Sequence, residues 1–243
     1  MRKRQTNAKG CSPAFSLVEL LVVIGLIAAL IAILLPVLGS TRERAKRTAC
    51  LSNLRQAHLV FAMYAQSHRD QVPLGFRRAR QFNSMLYSQT SQRFVLWGVL
   101  HQAGMLGDGQ TLYCPSEANP SFQHDTPQNP WPVMNATTPP GRNIQAGYAL
   151  RPETDIPDAL NVPLPRLSRF KNRAILADLT ASRVRLDTRH RAGLNALFGD
   201  GSAMWIKRDA VEPAISRLPE PFGTPDPSRD GDVLAVWAGI DRR

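Results

Sequence analysis

The sequence predicts an α+β protein, a long N-terminal helix followed by a loop-rich domain built on a small antiparallel sheet. Three observations carry that prediction. An apolar run from Phe15 to about Leu38 is broken only by Ser16, Glu19, glycine and Pro36. Beyond it, Leu51, Leu54, Ala57, His58, Phe61, Ala62 and Ala65 recur at helical three- and four-residue steps. Further on, Gly199-Asp200-Gly201 separates two short apolar segments, the signature of a hairpin turn.

Of the 243 residues, 43% are hydrophobic, and part of that share lies in the first run, which leaves a thin core for the remainder. The 19 prolines predict long loops there. A net charge of +11 raises nucleic-acid binding as a function. Against it, the basic residues are scattered and no finger, homeodomain or RNA-recognition pattern organises them, so nucleic acid is not an expected partner. The densest later run, Arg77 to Arg80, reads as a solvated loop.

The N-terminal segment, Met1 to Ala14, carries Arg2, Lys3, Arg4 and Lys9 and no acidic residue. The apolar run after it is long enough to cross a bilayer core of about 30 Å at 1.5 Å per residue. It exceeds the roughly 7–15 residues of a secretory h-region, and its only small-residue cleavage site, near Gly39 and Ser40, is poor. A plain signal-anchor fits the length but leaves Glu19 unexplained. A carboxylate inside a membrane helix costs roughly 2.5–3.5 kcal/mol even on insertion scales, so it is rarely kept without a use.

A basic leader followed by "AFSLVELLVVIGLIAALIAILLP" resembles the prepilin signature of type IV pilins and type II secretion pseudopilins. The resemblance implies that prepilin peptidase cuts between Ala14 and Phe15 and N-methylates Phe15. It makes Glu19 the fifth mature residue, placed to neutralise the new α-amino group or that of a neighbouring subunit during assembly. Pro36 falls where the family kinks its helix. The family usually has glycine before the cut; Ala14 departs from this but is small enough for processing to be expected. Lys/Arg flank both ends of the run, so orientation rests on the resemblance alone. It implies a single-pass bacterial inner-membrane protein with a cytoplasmic leader and a periplasmic C-terminal domain, extractable into a filament of like subunits.

The expected organisation is a cleaved leader over 1–14, a transmembrane part over 15–38, an amphipathic part over 39–70 and a globular domain over 71–243. From Thr41 no helix breaker intervenes before Pro73, so a helix from Phe15 to about Ser67 would span on the order of 80 Å. His58 within the stripe reads as a core histidine rather than a ligand.

In the globular part, Phe94 to Gly104 reads as a short helix ended by Gly104. Glu117 to Arg142 reads as a long surface loop, with a second proline-rich stretch over Arg151 to Pro165. "AGYAL", "RAILADL" and "RVRL" are strand candidates, and "VLAVWAG" a last strand or helix. Cys50 and Cys114 are a candidate disulfide, with two free buried thiols as the alternative. No C-x-x-C or Cys/His spacing marks a zinc site.

"HRAGLNALFGDG" places nine residues between His190 and Asp200-Gly201. With "LYCPS" and "LSNLRQ" it resembles bacterial prepilin-type proteins that carry a C-terminal H-x9-DG domain. The role of that motif does not follow from the sequence. A strand between His190 and Asp200 would hold them apart, so structural roles are expected rather than a catalytic pair. Calcium held by Asp178, Asp187 and Asp200 is conceivable, but no ligand run supports it. No G-x-S-x-G, P-loop or paired-histidine motif points to an enzyme. The competing expectation is a membrane-tethered binding or hydrolytic domain; a DNA-uptake pseudopilin is a third.

Overall fold

A computed structural model describes residues 16–131, 142–156, 162–218 and 226–242. The chain divides into two compact units, Met1–Arg44 and Ala45–Arg243. Both contribute to helix α1, Leu17–Ser67.

In the first unit α1 contains a stretch long and apolar enough to cross a membrane, and none of that stretch is buried. Its start is fixed by reciprocal hydrogen bonds. Ser16 Oγ accepts from Val18 N at 3.3 Å, and Glu19 Oε2 accepts from Ser16 N at 2.9 Å. This is a capping box, with serine at the cap and glutamate three residues on. The helix runs through Pro36, which supplies no amide to the ladder.

In the second unit α1 buries Cys50, Leu54, Ala57, Phe61, Tyr64 and Ala65. The expected stripe is thus shifted slightly: Cys50 and Tyr64 join it, while Leu51, His58 and Ala62 lie at its margin. The helix stops at Ser67, short of Pro73, because Arg69 and Asp70 adopt positive φ of 55° and 68°. Asp70 is held in that conformation by Ser168, whose Oγ and N both donate to its carboxylate.

The remaining elements follow in order: β1 (Gly75–Phe76), β2 (Met85–Ser88), β3 (Arg93–Phe94), α2 (Trp97–Gln102), β4 (Ile144–Gln145), β5 (Tyr148–Leu150) and β6 (Thr154–Asp155). Next come β7 (Ala174–Asp178), α3 (Arg183–Arg189), β8 (Gly193–Phe198), β9 (Ala203–Lys207), α4 (Glu212–Ile215) and α5 (Asp230–Ile240). The principal sheet, ordered β5-β7-β8-β9, is antiparallel throughout, with Tyr148 opposite Asp178 and Asn195 opposite Trp205. A smaller antiparallel sheet is ordered β3-β2-β4, and β1 and β6 make a short parallel pair. The fold is therefore α+β, with a long N-terminal helix and small, mainly antiparallel sheets.

Every residue of β8 is buried because both faces of the sheet are covered. On one face Leu176 and Leu197 share a core with Leu54, Phe61 and Trp97. Trp97 meets Phe61 edge-on at 5.4 Å and donates its indole N–H to the Tyr148 carbonyl at 3.0 Å. On the other face Ala177, Leu194, Ala196 and Phe198 pack with Val233, Val236 and Trp237 of α5. Arg151 closes that second layer with a two-pronged bond to Asp241, at 2.8 and 3.0 Å.

Two expectations need correction. "RVRL" opens helix α3 instead of forming a strand: Leu186 and Arg189, three apart, are its buried residues. "VLAVWAG", expected as a strand or helix, takes the helical alternative within α5. The Arg77–Arg80 run is not a solvated loop, since Arg77 is buried and Arg80 is tied by its backbone N–H and its guanidinium to Asp230. Of the two proline-rich stretches, the described ends fold inward: Glu117, Phe122 and Asn129 are buried in the first and Arg151 and Ile156 in the second. Residues 132–141 and 157–161 lie outside the described part.

A candidate functional site at the buried end of helix α3

Helix α3 ends by burying an arginine and a histidine. Its exposed face carries Val184, its inner face Leu186 and Arg189, and His190 forms the C-terminal cap with its N–H on the Leu186 carbonyl. His190 is 1% exposed, and its Nε2 lies 3.3 Å from Cys114 Sγ and 3.7 Å from Cys50 Sγ. Cys50, from α1, and Cys114, after the 3₁₀ turn Gln110–Leu112, are joined as a disulfide with their Cα atoms 5.4 Å apart. That separation lies within the usual bridging range.

Carboxylates and a second arginine surround this group. Asp178, the last residue of β7, accepts from Asn195 N at 2.6 Å and Asn195 Nδ2 at 3.1 Å, and stands 3.9 Å from His190 Nε2. Arg189 donates to Glu117 and to the Gly147 carbonyl, and its guanidinium lies 3.5 Å from Asp178. Burial pushes the Tyr148 phenol well above its ordinary range, and the Asp178 charge pushes the same way. Burial also lowers the Arg185 guanidinium to about 10. Gly147 lets the chain carrying Cys114 come this close, because a Cβ there would stand 2.8 Å from Tyr113 Cα.

The other end of β8 is exposed and does different work. Asp200 accepts from Ser202 N at 2.9 Å, Ser202 Oγ at 2.7 Å and Arg242 at 2.7 Å. Slight burial opposes ionisation, but these bonds outweigh it and hold the carboxyl down at about 2. Because the folded value lies below the unfolded one, the stabilisation is complete above about pH 4 and fades as pH falls through about 2. A carboxyl-carbon NMR titration of Asp200 is expected to give a midpoint near about 2, rising towards the ordinary value in Arg242→Ala. Gly201 takes φ +86°, and a Cβ on it would meet the His58 ring at 2.9 Å. The same ring lies 3.2 Å from the Gly199 carbonyl oxygen.

The residues of the H-x9-DG motif thus stay apart, but both touch helix α1, His190 at Cys50 and the Asp-Gly turn at His58. The attachment points are eight residues apart on α1, about 12 Å along its axis. Compared with protein-family models, curated proteins and solved structures, this chain matches none.

Ala14 and Phe15, the expected processing residues, lie outside the described part. Glu19 caps its own helix, and Pro36 sits within it. The three carboxylates considered for calcium are each engaged by a different arginine: Asp178 by Arg189, Asp187 by Arg208 and Asp200 by Arg242. The grouping of Cys50, Cys114 and His190 was not anticipated from the sequence. His190 lies 140 and 76 residues from the two cysteines, so no local spacing could have signalled it.

Proposed function

We propose that this chain is a prepilin-like membrane protein whose mature form is a structural subunit of a type IV pilus or type II secretion pseudopilus. One observation carries the reading: in the first unit, the exposed apolar stretch of α1 from Leu17 to Leu38 holds a single carboxylate, Glu19, in its first turn. In the structure that carboxylate accepts the Ser16 N–H, which shows that it reaches the backbone at the helix start. After cleavage before Phe15, the free α-amino group would stand next to this position, on the same chain or on a neighbour. The capping bond and the ion pair are successive uses of one side chain, the first intramolecular and the second available at assembly. The second unit also suits a structural role, since the residues of its H-x9-DG motif hold a sheet against the helix.

The deciding measurement is the mature N-terminus, by mass spectrometry of membrane-extracted protein made with and without prepilin peptidase. A methylated Phe15 terminus seen only with the peptidase supports the reading. An intact Met1 or a start near Ser40 sinks it. Glu19→Ala is expected to leave cleavage largely intact and to lower incorporation into filaments about tenfold or more, equivalent to about 1.4 kcal/mol per decade. Wild-type incorporation of that variant would remove the assembly role.

A further inference from the structure

Cys50, Cys114 and His190 are buried together, and their ligand atoms all lie within 4.8 Å of one another. Two sulfurs and an imidazole nitrogen are the donor set of zinc sites, in which Zn–S is about 2.3 Å and Zn–N about 2.0–2.1 Å. Tetrahedral geometry with those bonds puts nitrogen and sulfur about 3.5 Å apart. The two distances from His190 Nε2, 3.3 and 3.7 Å, bracket that value. The imidazole already stands where a ligand to both sulfurs would stand, and only the sulfurs must separate.

We propose that the cluster is a redox-gated metal site: bridged when oxidised, and a Cys2His site for Zn2+ when reduced. The exchange balances. A dithiol reductant supplies two electrons and two protons, the Cys50–Cys114 bond breaks, two thiols form and the reductant leaves as its own disulfide. Zn2+ then binds both sulfurs, each thiol losing its proton to solvent, while neutral His190 donates the Nε2 lone pair. Two thiolates cancel the charge of the ion, so a buried position is electrostatically admissible. An open cavity of about 480 Å3, lined in part by Asn53, Tyr113, Cys114, Pro115 and Glu117, provides access from the Cys114 side. Water entering there takes the fourth position. The proposal does not depend on the filament reading.

The test uses the full chain in detergent, oxidised or reduced with a phosphine under anaerobic conditions, and titrated with Zn2+ alone. Reduced protein is expected to retain one zinc per chain after gel filtration, and oxidised protein none. Substitution with Co2+ should give thiolate-to-cobalt charge-transfer absorption in the reduced form only. His190→Ala should weaken zinc retention at least tenfold. If reduction loosens the fold, adding Zn2+ should restore the circular dichroism signal. Equal zinc retention by both redox states, no charge-transfer band in the reduced protein, or unchanged binding by His190→Ala would overturn the proposal. So would a reduced, unfolded protein that zinc fails to refold.

Discussion

Replacing Glu117 by alanine is expected to lower unfolding free energy by about 3–5 kcal/mol, the usual cost of stranding one member of a buried ion pair. The side chains of Arg189 and Glu117 are 1% and 4% exposed, so water cannot take the place of the missing carboxylate. Arg189 would keep the Gly147 carbonyl and the 3.5 Å approach to Asp178, but it would lose its charge-assisted bond to Glu117. Arg185, lowered to about 10 by burial, feels the Glu117 charge as its main support and would become harder still to keep protonated. For a unit of this size the loss corresponds to roughly 6–20 °C in melting temperature. Glu117→Gln should cost distinctly less, since it keeps an acceptor for the guanidinium. The double change Glu117→Leu with Arg189→Met should recover much of the loss, because the desolvation penalty leaves with both charges. Melting of the full chain in detergent, followed by near-ultraviolet circular dichroism, reads all three. A Glu117→Ala variant that melts within about 2 °C of wild type would mean that the pair contributes little.

Such buried charges mark the boundary of what the sequence made legible. Local signals worked where structure is local. The apolar run and its helical continuation gave α1, and Gly104, with φ +71°, ended the predicted short helix two residues beyond Gln102. Asp200-Gly201 turned the β8–β9 hairpin, which pairs Asn195 with Trp205. The reading failed where a short pattern is ambiguous. "RVRL" alternates like a strand, yet Leu186 and Arg189 fall on one helical face once α3 is seen to extend to Arg189. It failed again where polarity was taken for exposure, at Arg77 and Glu117, both buried, Glu117 against an arginine 72 residues along the chain. The site was illegible for the same reason. His190 and Asp200 were rightly held apart by a strand, but nothing near either residue announces Cys50, Cys114 or His58. Those contacts exist because β8 lies against α1, a consequence of topology that no spacing within the motif encodes.

The same dependence on long-range closure sets the second large effect. Opening the Cys50–Cys114 bridge without metal is expected to cost about 4 kcal/mol, because it releases a loop closed across 64 residues. That loop contains the end of α1, strands β1 to β3 and α2, so its ends are held near one another in the unfolded chain only by the bridge. In the folded state the loss is more local. Leu54, Ala57 and Phe61 still anchor α1 in the core, whereas the segment from Gln110 to Ser116 loses its covalent hold on the helix. Hydrogen exchange is therefore expected to quicken first around Tyr113 and the C-terminal cap of α3. The measurement is thermal unfolding of oxidised and reduced wild type, both with a strong chelator, alongside Cys50→Ala/Cys114→Ala. The alanine pair should resemble reduced wild type, while serine at both positions should fare worse by burying hydroxyl groups among apolar neighbours. Coincident melting of oxidised and reduced chains would show that packing alone fixes Cys114 beside Cys50. Adding Zn2+ in place of the chelator then separates the two contributions, since recovered stability in reduced wild type, absent from the alanine pair, can come only from metal bound through these sulfurs.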